Sequence, residues 1–198
     1  MSKLHESTIH HLHPTQLTVG MREVHDKMKR LQHMQPHEQQ EFMRAHLIPA
    51  VLGPQQRLYI TDHHHLGRAA YEADVKTGFF EVQADLSALD MDAFWTEMEK
   101  SAWVHPLDEF GVRHHFSSIP NHLEKLKDDP YRSLAGFVRN AGGYEKTHAA
   151  FAEFLWADFF RRHIEAEDLH HKFDSAVERA IALAQSEIAS TLPGHKKA

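Results

Sequence analysis

Cysteine is absent from this chain of 198 residues, so disulfides, thiolate metal sites and thiol nucleophiles are excluded. Long apolar runs are missing as well. No stretch reaches the roughly eighteen apolar residues of a membrane-crossing helix, and Met1 to His13 is polar and His-rich where a secretory signal would be apolar. A cytoplasmic protein with no membrane partner is expected. Basic charge is also in short supply: 22 Lys and Arg face 28 Asp and Glu, for a net charge of −6 with neutral His. Nonspecific duplex binding needs a basic footprint, so duplex DNA is not an expected partner. Repeats, heptads and low-complexity linkers do not occur.

What is present fits a soluble α+β protein with a real core, since 41% of residues are hydrophobic and 25% charged. Twenty His make the net charge sensitive to mild acid. Residues 1–13 hold four of them with little periodicity and read as a flexible lead-in. Pro14 to Gly20 alternates like a short strand. Met21, Val24, Met28 and Leu31 then recur at helical spacing, which places Glu23 and Lys27 one turn apart on a shared face. A second helix is expected over His37–Ala45 behind Pro36. Leu47–Leu52 and Arg57–Thr61 form a hairpin around Gly53-Pro54-Gln55-Gln56.

Gly78–Leu86 reads as another strand, and Ser87–Trp103 as a helix with a stripe of Leu89, Phe94, Trp95 and Met98. Pro106 and Gly111 make Val104–Gly111 a loop. Trp103 at its root is a core plug or the wall of a substrate pocket. Beyond it the chain turns helical: Asn121–Lys127, then a helix opened by Asp129-Pro130 and closed by Gly142-Gly143. Another carries Phe151, Phe154, Leu155, Phe159 and Phe160 and ends in Arg161, Arg162 and His163. A last helix spans about Lys172 to Ser190, with Phe173, Val177, Ile181 and Ile188 inward.

The stretch Leu58–Ala70 carries the most chemistry. A short apolar strand enters a helix through Asp62, His63, His64 and His65, with Arg68 one turn on from His64 and His65. Unpaired N–H groups at a helix start favour an anion, Asp62 can cap that start, and a phosphate is the natural guest. A polar surface turn is the plainer alternative. Three consecutive imidazoles diverge by about a hundred degrees each, so they cannot converge on one metal ion.

These residues resemble the ParB-like nuclease group of the ParB/sulfiredoxin superfamily. The resemblance rests on Pro14-Thr15-Gln16-Leu17 with Val19 to Val24, on Ile48 to Gly53, and on Asp62 to Ala69. It extends through Trp103-Val104-His105-Pro106 and Asp129 to Gly136 to Phe151-Ala152-Glu153-Phe154 and Trp156 to Phe160, covering about Pro14 to Gly194. It implies a small mixed sheet with helices over residues 14–119, and a helical C-terminal extension over residues 120–198. A nucleotide's phosphates would rest on the helix after the motif strand. Sulfinic acid reduction needs a catalytic Cys and is excluded. DNA partition would want a basic recognition helix that the C-terminal segment does not offer.

Similarity to the free-serine kinases of the superfamily implies phosphoryl transfer to a small hydroxyl compound. Glu23 would be the base, with His64 as a second catalytic residue. Asp62, His63, His64, His65 and Arg68 would hold a nucleoside di- or triphosphate, and Asp62 would also contact Mg²⁺. Lys27, Trp103 and His105 would border the substrate. A metal-dependent nuclease and a noncatalytic nucleotide-responsive module are the alternatives. His105, His114 and His115 are further candidates for the former. Arg132, Arg139 and Lys146 read more readily as a solvated helix face than as phosphate ligands.

Overall fold

The structure is a computed structural model that describes residues 3–196. Its contacts divide the chain into two units: one made of the chain up to Val19 with Val24–Lys127, the other of Gly20–Glu23 with the chain from Asp128 onward. The α+β class expected from the sequence is the one observed.

Strands β1 (Lys3–Thr8), β2 (Leu12–His13), β4 (Ile48–Gly53), β5 (Arg57–Ile60) and β6 (Thr77–Asp85) of the first unit form a mixed sheet in the order β1-β6-β4-β5-β2. β3 (Thr18–Val19) and β7 (Lys127–Asp128) are two-residue strands apart from it. The 48–60 hairpin is antiparallel as expected, pairing Ala50 with Ile60 and Gly53 with Arg57. Gly53 is required there, because a β-carbon would meet the Tyr59 ring at 2.6 Å. Ile48, Ala50, Val51, Ile60 and Phe80 are all fully buried.

The flexible lead-in expected for residues 1–13 is corrected. Lys3–Thr8 pairs antiparallel with β6, and Ile9 and Leu12 lie in the core. The strand expected over Pro14–Gly20 shrinks to Thr18–Val19. Thr15 instead gives its amide and hydroxyl to neighbours in the motif region, and Gln16 makes a lone bridge to His105.

Helices α1 (Met21–Gln32), α2 (Pro36–Ala45) and α3 (His64–Glu72) begin within a residue or so of where periodicity places them. α4 (Met91–Lys100) starts later than Ser87, because Asp90 supplies the cap by accepting from the Ala93 amide at 2.8 Å. Phe94 and Met98 from α4 join Leu17, Val51, Tyr59, Val104 and Ile119 in one cluster of the first unit. Trp103, partly buried, packs against it. Asn121–Lys127, expected helical, makes only a 3₁₀ turn at Leu123–Lys125 before β7.

The second unit is built on α5 (Pro130–Asn140), α6 (Ala152–Arg161), α7 (Ala166–His171) and α8 (Phe173–Ala184). Asp129 caps α5 through the Tyr131 amide at 3.0 Å, with Pro130 at the first position, where its missing N–H costs nothing. Leu134, Val138, Trp156, Phe160, Ala176 and Ala180 form its core. Leu155 and Ile188, expected inward, are 45% and 60% exposed. The long last helix ends at Ala184, followed by a separate turn at Glu187–Ala189.

Candidate functional site

β5 leads into α3 through Thr61, Asp62 and His63. Asp62 does not cap α3: its Oδ1 accepts the amide of the adjacent His63 at 2.6 Å. His63 itself occupies the cap position in a left-handed conformation, φ 59 and ψ 29, and no side chain caps the first turn. The Nδ1 of His63 is buried and makes no hydrogen bond. A buried polar atom left without a partner is uncommon, and here it stands at the electropositive end of a nine-residue helix.

His64 points elsewhere. Its Nε2 accepts the Thr15 amide at 3.0 Å, while the Thr15 hydroxyl donates to the Ile60 carbonyl at 2.8 Å. A backbone amide can only donate, so Nε2 is an acceptor in this contact and a neutral ring keeps its proton on Nδ1. The catalytic role expected of His64 therefore cannot use Nε2. The same residue, Thr15, accepts the His105 amide on its carbonyl at 2.9 Å. The motif helix and the loop after Trp103 thus meet on one short segment. His65 is buried beside His64, and Lys27 is half-buried on α1.

Arg68 was expected to clamp phosphate, and its bonding corrects that. Nη1 donates to the Leu123 and Leu126 carbonyls at 2.9 and 3.1 Å, and Nε to Glu72 at 2.8 Å. Nη2 lies 2.7 Å from the same carboxylate. All three guanidinium nitrogens are committed to the scaffold: Nη1 holds the 3₁₀ turn at Leu123–Lys125, and Nε and Nη2 hold Glu72 of α3.

The second unit holds a polar cluster that the sequence reading undervalued. Glu23 is 8% exposed in the first turn of α1, and a β-carbon at Gly136 would lie 2.6 Å from its Oε2. Gly136 is thus needed for the closeness of α5 to this carboxylate. Arg132 is buried, contrary to the solvated face expected for it. Its guanidinium stands 3.5 Å over the Phe154 ring and 3.6 Å from Glu153, which also pairs closely with Arg139. Burial pushes the Tyr144 hydroxyl's pKa well up, against the nearby Arg139 and Arg132. Asp129 is also raised by burial, even though Arg161 binds it at 2.6 Å and Arg132 is near. The signal available in the sequence was the spacing of Arg132, Gly136 and Arg139. Those positions share a helix face, and a Gly on that face allows a close approach.

The model of the family described as "Putative ParB-like nuclease" matches residues 5–162. The crystal structure of protein Atu1540 from Agrobacterium tumefaciens is similar along almost the whole chain. Its sequence is 40% identical, the match covers 98% of this chain and 97% of that one, and the TM-score is 0.92. No curated protein matches. The family match spans most of the chain and agrees with the fold: the chain belongs to the ParB-like nuclease family.

Proposed function

We propose that the protein binds a phosphorylated ligand, a nucleoside di- or triphosphate, at the start of α3. One observation carries the reading: α3 begins without a side-chain cap, beside a buried His63 Nδ1 that lacks a hydrogen-bond partner. A phosphate oxygen would take the first-turn amides and an N–H from His63 Nδ1. His65, on the same turn, is the next candidate donor. The exposed Asp62 carboxylate is the group to contact a phosphate-bound Mg²⁺. Arg68 has no part in this site.

Transfer of the terminal phosphoryl group to a small hydroxyl compound is the reaction proposed on top of binding. Glu23 takes the hydroxyl proton, the oxygen attacks the terminal phosphorus, and the shortened nucleotide leaves. Support for Glu23 comes from its burial and from Gly136, which makes room for its carboxylate. The nuclease reading draws on the family's description.

Calorimetric titration with ATP, ADP and CTP, with and without Mg²⁺, tests the binding. His63→Asp places a negative charge at the helix start and tolerates the left-handed backbone better than most residues. It should abolish binding while leaving the fold intact. No binding of any nucleotide to the wild type sinks the proposal. Glu23→Gln should keep binding and lose transfer, and transfer at the wild-type rate would show that the base is wrongly assigned.

A further inference from the structure

Tyr59 and Ile60 are neighbours on β5, so their side chains stand on opposite faces of the sheet. Ile60 lies beside Gly67 of α3, and Tyr59 packs on Phe94 of α4. On the Tyr59 face, away from α3, is a pocket of about 90 Å³ that no part of the nucleotide proposal uses.

Three rings make its wall. Trp95 and Phe116 stack at 15° with centroids 5.6 Å apart, and Tyr59 stands edge-on to Trp95 at 84° and 5.7 Å. Rings held at such angles form a flat-sided corner, which suits a planar apolar group better than a branched one. An enclosed cavity of about 150 Å³ takes benzene whole. This smaller, open pocket would seat one ring and leave its edge in solvent.

Among the described residues, Arg57 is the only charged one in the lining, and no carboxylate pairs with it. The hairpin sets its place, opposite Gly53, and its guanidinium donates to the Tyr59 hydroxyl. Accepting from Arg57 leaves that hydroxyl its own proton to give to a ligand. Burial raises the Tyr59 pKa, so the proton is in place at neutral pH. The surroundings are of one sign as well: the His13 ring is 5.0 Å from Tyr59, and the charges acting on it are those of Arg57, His122 and His11, none of them acidic.

We infer that this pocket binds a small aromatic anion, a single planar ring carrying a carboxylate. The ring rests in the corner of Tyr59, Trp95 and Phe116, and the carboxylate takes the Arg57 guanidinium and the Tyr59 hydroxyl. An aliphatic acid lacks the first half of this fit, and an aromatic amine would meet the guanidinium with a like charge.

Isotope-labelled full-length protein titrated with benzoate, acetate and benzylammonium tests this by amide and indole chemical shifts. Benzoate should give saturable shifts centred on Tyr59, Trp95 and Phe116, while shifts with acetate and benzylammonium stay linear in concentration. Arg57 is exposed at the hairpin end, so Arg57→Gln keeps the fold. It should bind benzoate about tenfold more weakly, as the loss of a charge-assisted contact implies. Phe116→Leu keeps apolar bulk without the ring and should also weaken benzoate. Lys29→Gln removes the same charge from α1 and should change nothing. Nucleotide titration at α3 should be unaffected in Arg57→Gln, and benzoate binding should survive His63→Asp, so this inference and the nucleotide proposal fail separately. Linear benzoate shifts, saturation by acetate or benzylammonium, or an unchanged Arg57→Gln would overturn the inference.

Discussion

The amide of Thr15 donates to Nε2 of His64 across 3.0 Å, and both residues are buried. The histidine is thereby a fastening between the segment before β3 and the first turn of α3. His64→Ala should leave the Thr15 amide without its acceptor and cost about 1–3 kcal/mol of stability. Urea denaturation would register this as a lower midpoint with an unchanged slope. If nucleotide affinity survives in the variant, the imidazole is structural and not a ligand.

Arg68 makes the corresponding fastening at the far end of the first turn. Its side chain is 11% exposed, so Arg68→Ala should lower stability by about 3 kcal/mol, the scale of a broken buried pair, discounted at the partly exposed Glu72. Arg68→Lys should recover only part of it, because one ammonium cannot reach both carbonyls and the carboxylate. Thermal melts of the two variants, with nucleotide titration on whichever folds, separate this role from phosphate binding: unchanged affinity is the expected result.

Gly136→Ala would push a methyl group to 2.6 Å from Glu23 Oε2. The contact is with the end of a side chain, so the fold should lose little stability while the carboxylate is forced to move. Denaturation midpoints check the first effect. Under the transferase reading the second should appear as lost turnover with nucleotide binding intact.

His13 should make stability depend on mild acid. Its pKa is lowered to about 4, first by burial and then by Arg57, His122 and His11, against an ordinary value of 6.5. The unfolded chain therefore takes up a proton at His13 before the folded chain does. Its contribution to stability is complete above pH 6.5, declines as the pH falls, and is gone below about 4. His13→Gln should flatten that part of the stability profile; an unchanged profile from pH 7 to 4 would place the sensitivity at other histidines.

Much of the fold was legible because it is written in period and punctuation. α1, α2, α5 and the 48–60 hairpin follow from apolar spacing, Pro at helix starts and Gly at turns. The failures have physical causes. Lys3–Thr8 lacks a strand signature because an edge strand carries His and Glu for protection. The six residues of α7 are too few and too polar to show a stripe. At the site, the residue types were readable but their partners were not. Arg68 would look the same whether it faced a phosphate or two carbonyls 55 and 58 residues away. Arg132 looked solvated because its cover, Phe154 and Glu153, arrives from another helix.

The pairing of β1 with β6 bears on how this protein is handled. The first strand closes the side of β6 that carries buried Phe79 and Phe80 in its register, from Lys3 against Val82 to Thr8 against Thr77. Trimming the His-rich start, as one does with a tail, would leave a nine-residue strand with a row of open amides and carbonyls. Such a truncation should increase edge-to-edge association over that of the intact chain, which light scattering would register. The residues that most resemble an expression tag are the ones that keep the sheet from recruiting a neighbour.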